Sequence, residues 1–292
     1  SAMAVEKIKI GLLVPMTGPN KNLGQSIIKA VRLAVKDINS NLIEIIPKDT
    51  ATKPNTTLRS ASELKKMGVK MVIGPIFYES LTYLDEMKDI TFLSLTNKNL
   101  NLPTNVISAG INSTSQLNTI KKFLEMENIE RTIFLTPMQT YEFEVKRGIK
   151  NSKIKIYKDY VYNTDPTKLT NQIEKITNYK IRKQNLDDEI YKIKNSNEPN
   201  KEKKIISLEK RYTLGGLNFD AVIIADFNES LKSVSTSLLY TDVSPKKKYF
   251  ITLNQWFNKS LLEESDLQPL YYPSINKKNF DNYKDKFFNE FN

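Results

Sequence analysis

The 292-residue sequence contains neither cysteine nor histidine. Without a thiol or an imidazole, the chain cannot form a disulfide, a thiolate or imidazole metal site, or the Ser–His and Cys–His pairs of nucleophilic hydrolases. The sequence also has no apolar run long enough to span a bilayer. A site for Mg²⁺ or Ca²⁺ would need an Asp-rich loop of defined spacing, which the sequence lacks. We therefore expect neither a metal site nor a cofactor.

Positive charge exceeds negative charge, because 44 lysines and arginines stand against 33 aspartates and glutamates. The formal charge of +11 is compatible with nucleic acid, anionic lipid or an anionic polymer as a partner. Lysine is however abundant along the whole chain, and the densest basic cluster, Ser244–Phe250, has no interleaved aromatic platform for stacking bases. We interpret the charge as mostly solvated surface and expect no nucleic-acid partner.

The segment Leu12–Val31 combines an apolar strand, a glycine-containing turn and a helix, as a nucleotide-phosphate loop does. A Walker loop needs four residues between its glycines and then a lysine followed by Ser or Thr. Here five residues separate Gly18 from Gly24, and Gln25 stands where the lysine is required. Because glutamine cannot supply the cation, we predict a strand–turn–helix without phosphate chemistry.

Two catalytic arrangements remain conceivable without histidine. Ser26 and Lys29 match the Ser-x-x-Lys pattern of serine–lysine hydrolases, but this pattern recurs in the lysine-rich chain and its companion motifs are missing. Carboxylate pairs at Glu142 and Glu144, or at 187–188, could perform acid–base chemistry, although ordinary surface solvation explains them better. We predict that the protein is not an enzyme and has no catalytic residue.

Apolar segments typical of buried strands alternate with segments whose apolar residues have helical spacing. This alternation predicts parallel strands with right-handed crossovers and helices on both faces of each sheet. Strands are predicted first at Lys7–Val14, Leu42–Ile46, Val69–Ile73, Ile90–Thr96 and Asn105–Gly110, and later at Arg131–Pro137, Lys153–Tyr162, Asp220–Asp226, Tyr249–Leu253 and Leu270–Pro273.

The length allows two lobes, the pattern begins again at Arg131–Pro137, and we place the crossing between the lobes near Ile111–Ser115. We therefore predict an α/β fold with two doubly wound parallel-sheet lobes, lobe one at 6–112 and lobe two at 113–274. The amphipathic segment Phe280–Phe291 predicts a C-terminal helix, and we expect residues 275–292 to return toward lobe one.

A helical hairpin at about 166–212 is predicted as an insertion in lobe two. Asp165 can cap a helix that begins at Pro166, and one apolar side continues to Ile193, which predicts a single long helix. A second helix carries Ile205 and Leu208. The charges alternate in sign, which is typical of a solvated face, and an interaction surface is the alternative. The candidate partner contacts are Tyr191, Lys194, Lys204, Arg211 and Tyr212.

Three turns follow predicted strands of lobe one, at Pro15–Pro19, Gly74–Ser80 and Ser94–Asn97. Open α/β sheets bind ligands at the carboxyl ends of their strands, where turn backbones and short polar side chains converge. Helix amides near Ser80 would also attract a carboxylate. The alternative is that the hydroxyls only cap helices. The candidate ligand-binding residues here are Thr17, Gly18, Tyr78, Ser80, Thr96 and Asn97.

The segments "PMTGP", "IPKDT", "IGPIF" and "FLSLTN" follow one another as in the type I periplasmic-binding-protein superfamily, the Leu/Ile/Val-binding-like fold. The sequence resembles this superfamily over nearly its whole length, which implies two lobes around a ligand cleft. The resemblance carries Tyr141 over as a cleft residue, whereas Glu142 replaces the usual glycine and disfavours an amino-acid ligand. Asp226 and Trp256 follow strands of lobe two and are further cleft candidates, with core packing as the alternative for Trp256.

Two later stretches, "SLEKRYTLGGLNFDAVIIAD" and "LLYTDVSPKKKYFITLNQW", resemble bacterial lipoprotein activators of penicillin-binding proteins. This resemblance implies a periplasmic protein, anchored to the outer membrane through a lipidated cysteine, that promotes peptidoglycan synthesis by contact with a penicillin-binding protein. The alternative is a periplasmic solute-binding protein of an ABC transporter for branched-chain-like amino acids or other small polar ligands. A small molecule such as an amino acid or a cell-wall fragment is a further candidate partner.

Both families lead us to expect additional segments beyond the present sequence. Ser1-Ala2-Met3 is typical of an expression scar, so a targeting segment and the lipid-bearing cysteine are expected to precede it in the natural protein. Relatives continue past Phe291 with elements that return to lobe one, which leads us to expect a truncated fold.

Overall fold

The computed structural model describes residues 6–254 and 259–292. The chain divides into two compact units, unit one with Ser1–Asn112 and Ile275–Asn292, and unit two with Ser113–Ser274. Each unit contains a five-stranded sheet in which every pairing is parallel. The predicted fold class, α/β with two parallel sheets and flanking helices, is therefore confirmed.

Unit one opens with alternating strands and helices. Its elements before Asn112 are β1 (Ile8–Val14), α1 (Lys21–Ile38), β2 (Ile43–Asp49), α2 (Pro54–Lys66), β3 (Met71–Ile73), β4 (Thr91–Ser94) and β5 (Val106–Ser108). The sheet order is β2-β1-β3-β4-β5, so the strand order reverses at β1, where open α/β sheets bind ligands. Short 3₁₀ helices at Tyr78–Leu81 and Leu84–Glu86 stand between β3 and β4. Leu13, Leu64 and Phe92 belong to the core of this unit.

Unit two repeats the architecture with more helices. Its elements are α3 (Ser113–Met126), β6 (Thr132–Pro137), α4 (Glu142–Ser152), β7 (Lys158–Tyr162), α5 (Pro166–Ile176), α6 (Tyr179–Lys194), α7 (Lys201–Glu209), β8 (Ala221–Ile224), α8 (Asn228–Tyr240), β9 (Tyr249–Thr252), α9 (Lys259–Glu263) and β10 (Leu270–Tyr271). The sheet order is β10-β9-β8-β6-β7. Every residue of β6 is buried, because Leu135 enters the core on one face of the sheet and Phe134 the core on the other.

The prediction of one long helix from Pro166 to Ile193 is wrong. Helix α5 ends at Ile176 and α6 begins at Tyr179. Between them Asn178 adopts a left-handed conformation with φ of 51°, which an L-residue cannot propagate as a helix. The predicted cap at the start of α5 is confirmed, since the Asp165 side chain accepts a hydrogen bond from the Thr167 amide at 2.9 Å.

Two further elements differ from the sequence prediction. The strand expected at Lys153–Tyr162 begins only at Lys158, because Lys153 caps α4 in a left-handed conformation. Helix α8 was not predicted. Its buried face contains Leu231, Val234 and Leu238 but also serines, which weaken the apolar periodicity.

The final helix, α10 (Lys277–Phe291), packs on α1 and belongs to unit one. The contact includes ion pairs between Lys36 and Glu290 at 2.5 Å and between Lys286 and Asp37 at 3.1 Å. The Lys29 ammonium lies 5.6 Å from the centre of the Phe291 ring, which adds a cation–π contact.

Candidate functional site

The carboxyl edge of the first sheet is organised around Asp49, the last residue of β2. Its Oδ1 accepts hydrogen bonds from the amides of Met16 at 2.7 Å, Ala51 at 2.8 Å and Thr17 at 3.2 Å. Its Oδ2 accepts a bond of 2.6 Å from the Thr17 hydroxyl. One carboxylate thus holds the turn after β1 against the turn after β2.

The hydrogen bonds around Asp49 change the pKa of its carboxyl group. Partial burial raises the pKa, but the hydrogen bonds from the Thr17 hydroxyl and from the amides of Ala51, Met16 and Thr17 outweigh burial and lower it below the ordinary value of 3.8. The carboxylate is therefore ionised at neutral pH and acts as an internal anion for these turn amides.

The turn after β1 also requires glycine at its junction with α1. A Cβ built on Gly24 would lie 1.8 Å from the carbonyl oxygen of Pro15, so a side chain cannot be accommodated without moving the turn. Gly18 is exposed and has a φ of 79°, which favours glycine. The glycines thus serve close backbone packing and turn geometry.

The remaining candidates in unit one are mostly engaged within the unit. The Tyr78 hydroxyl donates to the carbonyl of Leu100 at 2.8 Å, and Thr96 Oγ1 accepts from the Lys98 amide at 3.2 Å. Ser80 is buried, and its hydroxyl has no hydrogen-bond partner among the described residues. Asn97 is exposed. A ligand role for these residues, and for Thr17 and Gly18, stays a prediction.

A second cluster lies at the carboxyl edge of the sheet in unit two and consists of Tyr141, Tyr162 and Asp226. Asp226, which is 3% exposed, follows β8 and accepts from the Tyr162 hydroxyl at 2.5 Å. It also accepts from the Tyr141 hydroxyl at 3.2 Å and from the Phe227 amide at 2.8 Å. The structure therefore joins two predicted candidates, Tyr141 and Asp226, through hydrogen bonds to one carboxylate.

Burial is the largest cause of the shifted pKa values in this cluster. It raises the pKa of Asp226 above the ordinary value of 3.8, against the lowering effect of the hydrogen bonds from Tyr162, Phe227 and Tyr141. Burial and the neighbouring Asp226 carboxyl raise the pKa of both tyrosines, so Tyr141 and Tyr162 remain hydroxyl donors at neutral pH. Burial thus disfavours the ionised form of Asp226.

Glu142, the residue expected to disfavour an amino-acid ligand, has a partner within its own helix. Its Oε1 accepts a bond of 2.5 Å from the Lys146 ammonium, an i,i+4 ion pair. This hydrogen bond raises the pKa of Lys146. The anionic charge of Glu142 is thus largely balanced by Lys146. Trp256, the remaining cleft candidate, lies outside the described residues.

The partner-contact candidates on the hairpin fall into two groups. Lys194 pairs with Glu209 at 3.6 Å, and Lys204 pairs with Glu198, so these two lysines are engaged within the hairpin. The other three, Tyr191, Arg211 and Tyr212, are exposed, and none of them has a side-chain hydrogen bond or ion pair to a described residue.

Sequence analysis missed three residues that organise these regions, namely Asp49, Tyr162 and Arg182. Arg182 is buried in α6 and donates to the Thr241 carbonyl at 2.9 Å and to the Thr213 hydroxyl at 2.8 Å. Burial lowers its pKa, which the neighbouring Asp242 partly opposes. A signal was present for Asp49, which lies in the segment "IPKDT", whereas the partners of Tyr162 and Arg182 are distant in sequence.

Within 6–254 and 259–292, no helix is both long and apolar enough to cross a membrane. The same residues contain no group of three or more acidic side chains that could hold a metal ion.

With the geometry in hand, comparison with known proteins gives the family. The periplasmic binding protein family matches residues 7–181. This match covers more than half of the chain, and the chain therefore belongs to the periplasmic binding protein family. The two parallel sheets correspond to the type I fold of that family. No curated protein sequence matches the chain.

Solved structures of two kinds share the fold. The C-domain of LpoA (YraM) from Haemophilus influenzae, a regulator of PBP1A, has a TM-score of 0.60 at 14% identity, over 95% of this chain and 78% of that one. A periplasmic ligand-binding protein of a branched-chain amino acid ABC transporter from Burkholderia xenovorans has a TM-score of 0.61 at 9% identity, over 98% and 72%. LivJ from Streptococcus pneumoniae, solved in complex with isoleucine, has a TM-score of 0.50 at 13% identity, over 98% and 78%.

Full-length LpoA from Haemophilus influenzae is a much longer chain. It has a TM-score of 0.63 at 12% identity, and the alignment covers 96% of this chain but only 47% of that one. The chain thus spans about half of full-length LpoA. At these identities the similarity establishes the fold alone.

Proposed function

We propose that the protein is a nonenzymatic binding protein of the bacterial envelope that regulates peptidoglycan synthesis through contact with a penicillin-binding protein. The observation that carries the proposal is the exposure of three large side chains, Tyr191, Ile206 and Tyr212, on or just after the hairpin formed by α6 and α7. Regulation of PBP1A by LpoA, which has a similar fold, supports the same assignment.

Three large side chains of the hairpin region are mostly exposed to solvent. Tyr191 is 72% exposed, Tyr212 is 77% exposed and Ile206 is 55% exposed. Tyrosine and arginine are enriched in the centres of protein interfaces, and Arg211 lies beside Tyr212. Exposed aromatic side chains can serve as the anchors that carry most of the binding energy of an interface. We assign the partner contact to this surface, with Tyr191 and Tyr212 as its aromatic anchors.

At the carboxyl edges of the sheets, several polar groups already hydrogen-bond to one another. In unit one, turn amides already donate hydrogen bonds to the Asp49 carboxylate. In unit two, two tyrosine hydroxyls already donate to Asp226. A polar ligand bound to these groups would have to replace existing hydrogen bonds, so their net contribution to its affinity would be small. Function through protein contact does not require such replacement.

The direct test is capture of the protein by an immobilised penicillin-binding-protein ectodomain. We expect the double variant Tyr191→Ala and Tyr212→Ala to weaken capture at least about tenfold, because removal of an aromatic anchor typically costs more than 1 kcal/mol. Met126→Ala is the matched control, since Met126 is 76% exposed but lies at the end of α3, outside the hairpin. Capture that is unaffected by the tyrosine substitutions would remove the hairpin from the mechanism.

The second candidate function is a solute-binding protein of an amino-acid ABC transporter. The similar fold of a periplasmic ligand-binding protein of a branched-chain amino acid ABC transporter favours this alternative, and the cluster of Tyr141, Tyr162 and Asp226 lies at the sheet edge where open α/β sheets bind ligands. A thermal-shift screen against amino acids and cell-wall peptides separates the candidates. A ligand at 100 times its dissociation constant stabilises the folded state by about 2.7 kcal/mol. A large shift with leucine or isoleucine would favour the receptor and count against the regulator.

We also propose a periplasmic location with a lipid anchor to the outer membrane. Membership of the periplasmic binding protein family supports the compartment. The anchor rests only on the sequence resemblance to activator lipoproteins. Metabolic labelling of the natural protein with a fatty acid, followed by fractionation of inner and outer membranes, tests it. Label in the outer-membrane fraction is expected, and unlabelled protein released by osmotic shock would contradict the anchor.

A further inference from the structure

Unit two contains a cavity of about 820 Å³ at the base of the hairpin. The segments 210–217 and 242–248, which lead into β8 and β9, form most of its wall. The cavity therefore lies at the amino ends of these strands. Asp226 follows the carboxyl end of β8, at the opposite edge of the same sheet. The cavity is thus separate from the carboxyl-edge cluster described above.

The wall of the cavity is strongly basic. Five of its residues are cationic and one is acidic: Arg182, Lys210, Arg211, Lys247 and Lys248, against Asp242. The acidic residue is already engaged, because Asp242 accepts a bond of 2.6 Å from the Thr213 hydroxyl and lies 3.7 Å from Arg182.

Most of the cationic groups at the cavity lack a counter-charge. Lys248 faces Asp220 at 3.9 Å. Lys210, Arg211 and Lys247 form no ion pair with any residue of the described part of the chain. Like charges gathered without a counter-ion repel one another, and an anion placed among them relieves this repulsion.

The wall is held by a buried arginine. Arg182 is 6% exposed, and it joins Thr213 on one wall segment to Thr241, which precedes the other. Its Nε is buried and has no acceptor among the described residues. Burial of an incompletely paired guanidinium is unfavourable unless nearby negative charge compensates. The ion pair with Asp242, at 3.7 Å and outside hydrogen-bond distance, compensates only in part.

The wall also offers open backbone. Gly215 and Gly216 are both exposed, and a Cβ built on Gly216 would meet no atom within 4 Å. Lysine and arginine, together with open amides, are the donors that proteins use for phosphate and carboxylate oxygens. A volume of about 820 Å³ is in the usual range for small-molecule sites and exceeds the need of one simple ion.

We propose that this cavity is a binding site for a small polyanion, a molecule with at least two phosphate or carboxylate groups. Lys210, Arg211 and Lys247 supply the charge, and Arg182 positions the wall without needing to contact the ligand. Arg211 and Tyr212, which are assigned above to the partner contact, also line this cavity, so a bound polyanion would lie next to that contact.

Isothermal titration calorimetry of the whole chain at about 50 mM salt tests the proposal, because exposed charges are only partly screened there. The probes are inorganic pyrophosphate, citrate and a glutamate-rich peptide. We expect saturable binding of pyrophosphate or citrate. Binding of both identifies an oxyanion site, and binding of one alone identifies which source of negative charge the site accepts. Binding of the peptide with neither small anion would overturn the proposal and assign the basic wall to a protein partner.

Paired substitutions distinguish a defined site from general attraction to a basic protein. The double variant Lys210→Ala and Lys247→Ala is expected to weaken binding at least about tenfold. The control, Lys150→Ala with Lys155→Ala, removes the same charge from unit two at exposed positions outside the cavity and is expected to change affinity less than about twofold. Equal losses in both variants, or no binding by the wild type, would overturn the proposal. Thermal melting verifies that both variants fold. Neither variant alters Tyr191 or Tyr212, so failure here leaves the proposed partner contact untouched.

Discussion

The Tyr162 hydroxyl donates a hydrogen bond to Oδ2 of Asp226, across 64 positions of sequence and between two buried side chains. Tyr162 is the last residue of β7, and Asp226 follows β8. Strand β6 lies between these strands in the sheet, so the bond ties together the carboxyl ends of strands that are not neighbours. Tyr141, in the connection after β6, adds a third element to the same carboxyl group.

We expect Tyr162→Phe to lower the free energy of unfolding by about 1 to 3 kcal/mol, because it leaves a buried carboxyl group without one of its donors. Tyr160→Phe is the control, since Tyr160 lies on the same strand and its hydroxyl has no hydrogen bond to a described residue. The control should change stability by less than about 0.5 kcal/mol. Urea denaturation measures both, and equal effects would contradict the role assigned to Tyr162.

The pH dependence of stability should reveal the ionisation of Asp226. Its folded-state pKa lies above the ordinary value of 3.8, so the folded state retains the proton longer than the unfolded state. Ionisation therefore costs stability as pH rises from 3.8 through the folded-state pKa. We expect the unfolding free energy of wild type minus that of Asp226→Asn to fall across this window. A difference that increases with pH would contradict a raised pKa.

The stabilisation provided by Asp49 should depend on pH in the opposite direction to that of Asp226. The folded-state pKa of Asp49 is lowered, so its stabilisation is fully present above the unfolded value of 3.8 and is lost as pH falls through the folded-state pKa. We expect Asp49→Asn to destabilise the protein by about 1 to 3 kcal/mol at pH 7, because amides of the turn lose a charged acceptor. The difference from wild type should shrink below pH 3.8 in acid-titrated urea melts. A difference independent of pH would show that the charge of Asp49 is unimportant.

Gly24 should tolerate no side chain. The Pro15 carbonyl oxygen would lie 1.8 Å from an alanine Cβ, so Gly24→Ala must displace the turn after β1 and is expected to cost about 1 to 3 kcal/mol. Gly216→Ala is the control, because a Cβ there meets no atom within 4 Å. Its effect should stay below about 1 kcal/mol. Thermal melts of both variants measure the contrast, and a neutral Gly24→Ala would contradict the close approach.

The sequence predicted the sheet strands well because each is a short apolar segment next to a helix with an apolar face. Local patterns of this kind are set by burial on both faces of a parallel sheet. Helix α8 was not predicted because Ser235 and Ser237 lie at buried positions where an apolar pattern would have larger, apolar residues. The break between α5 and α6 at Asn178 was not predicted, because the apolar spacing continues across it. The left-handed conformation depends on this single residue.

The candidate site was predictable only in part. Asp226 and Tyr141 could be selected because each follows a predicted strand, and the carboxyl ends of parallel strands share one edge. Their connection through Tyr162 depends on strand order, which places β6 between β7 and β8 and cannot be read from local pattern. Arg182 was hidden for the same reason, since its hydrogen-bond acceptors Thr213 and Thr241 lie far along the chain.

The rate of glycan polymerisation by a purified penicillin-binding protein, measured with and without this protein, tests the central claim most directly. We expect the rate to rise severalfold with wild type and with Met126→Ala, and to rise little with the Tyr191→Ala and Tyr212→Ala double variant. An unchanged rate at concentrations that saturate binding, or equal stimulation by the double variant, would contradict regulation through the hairpin.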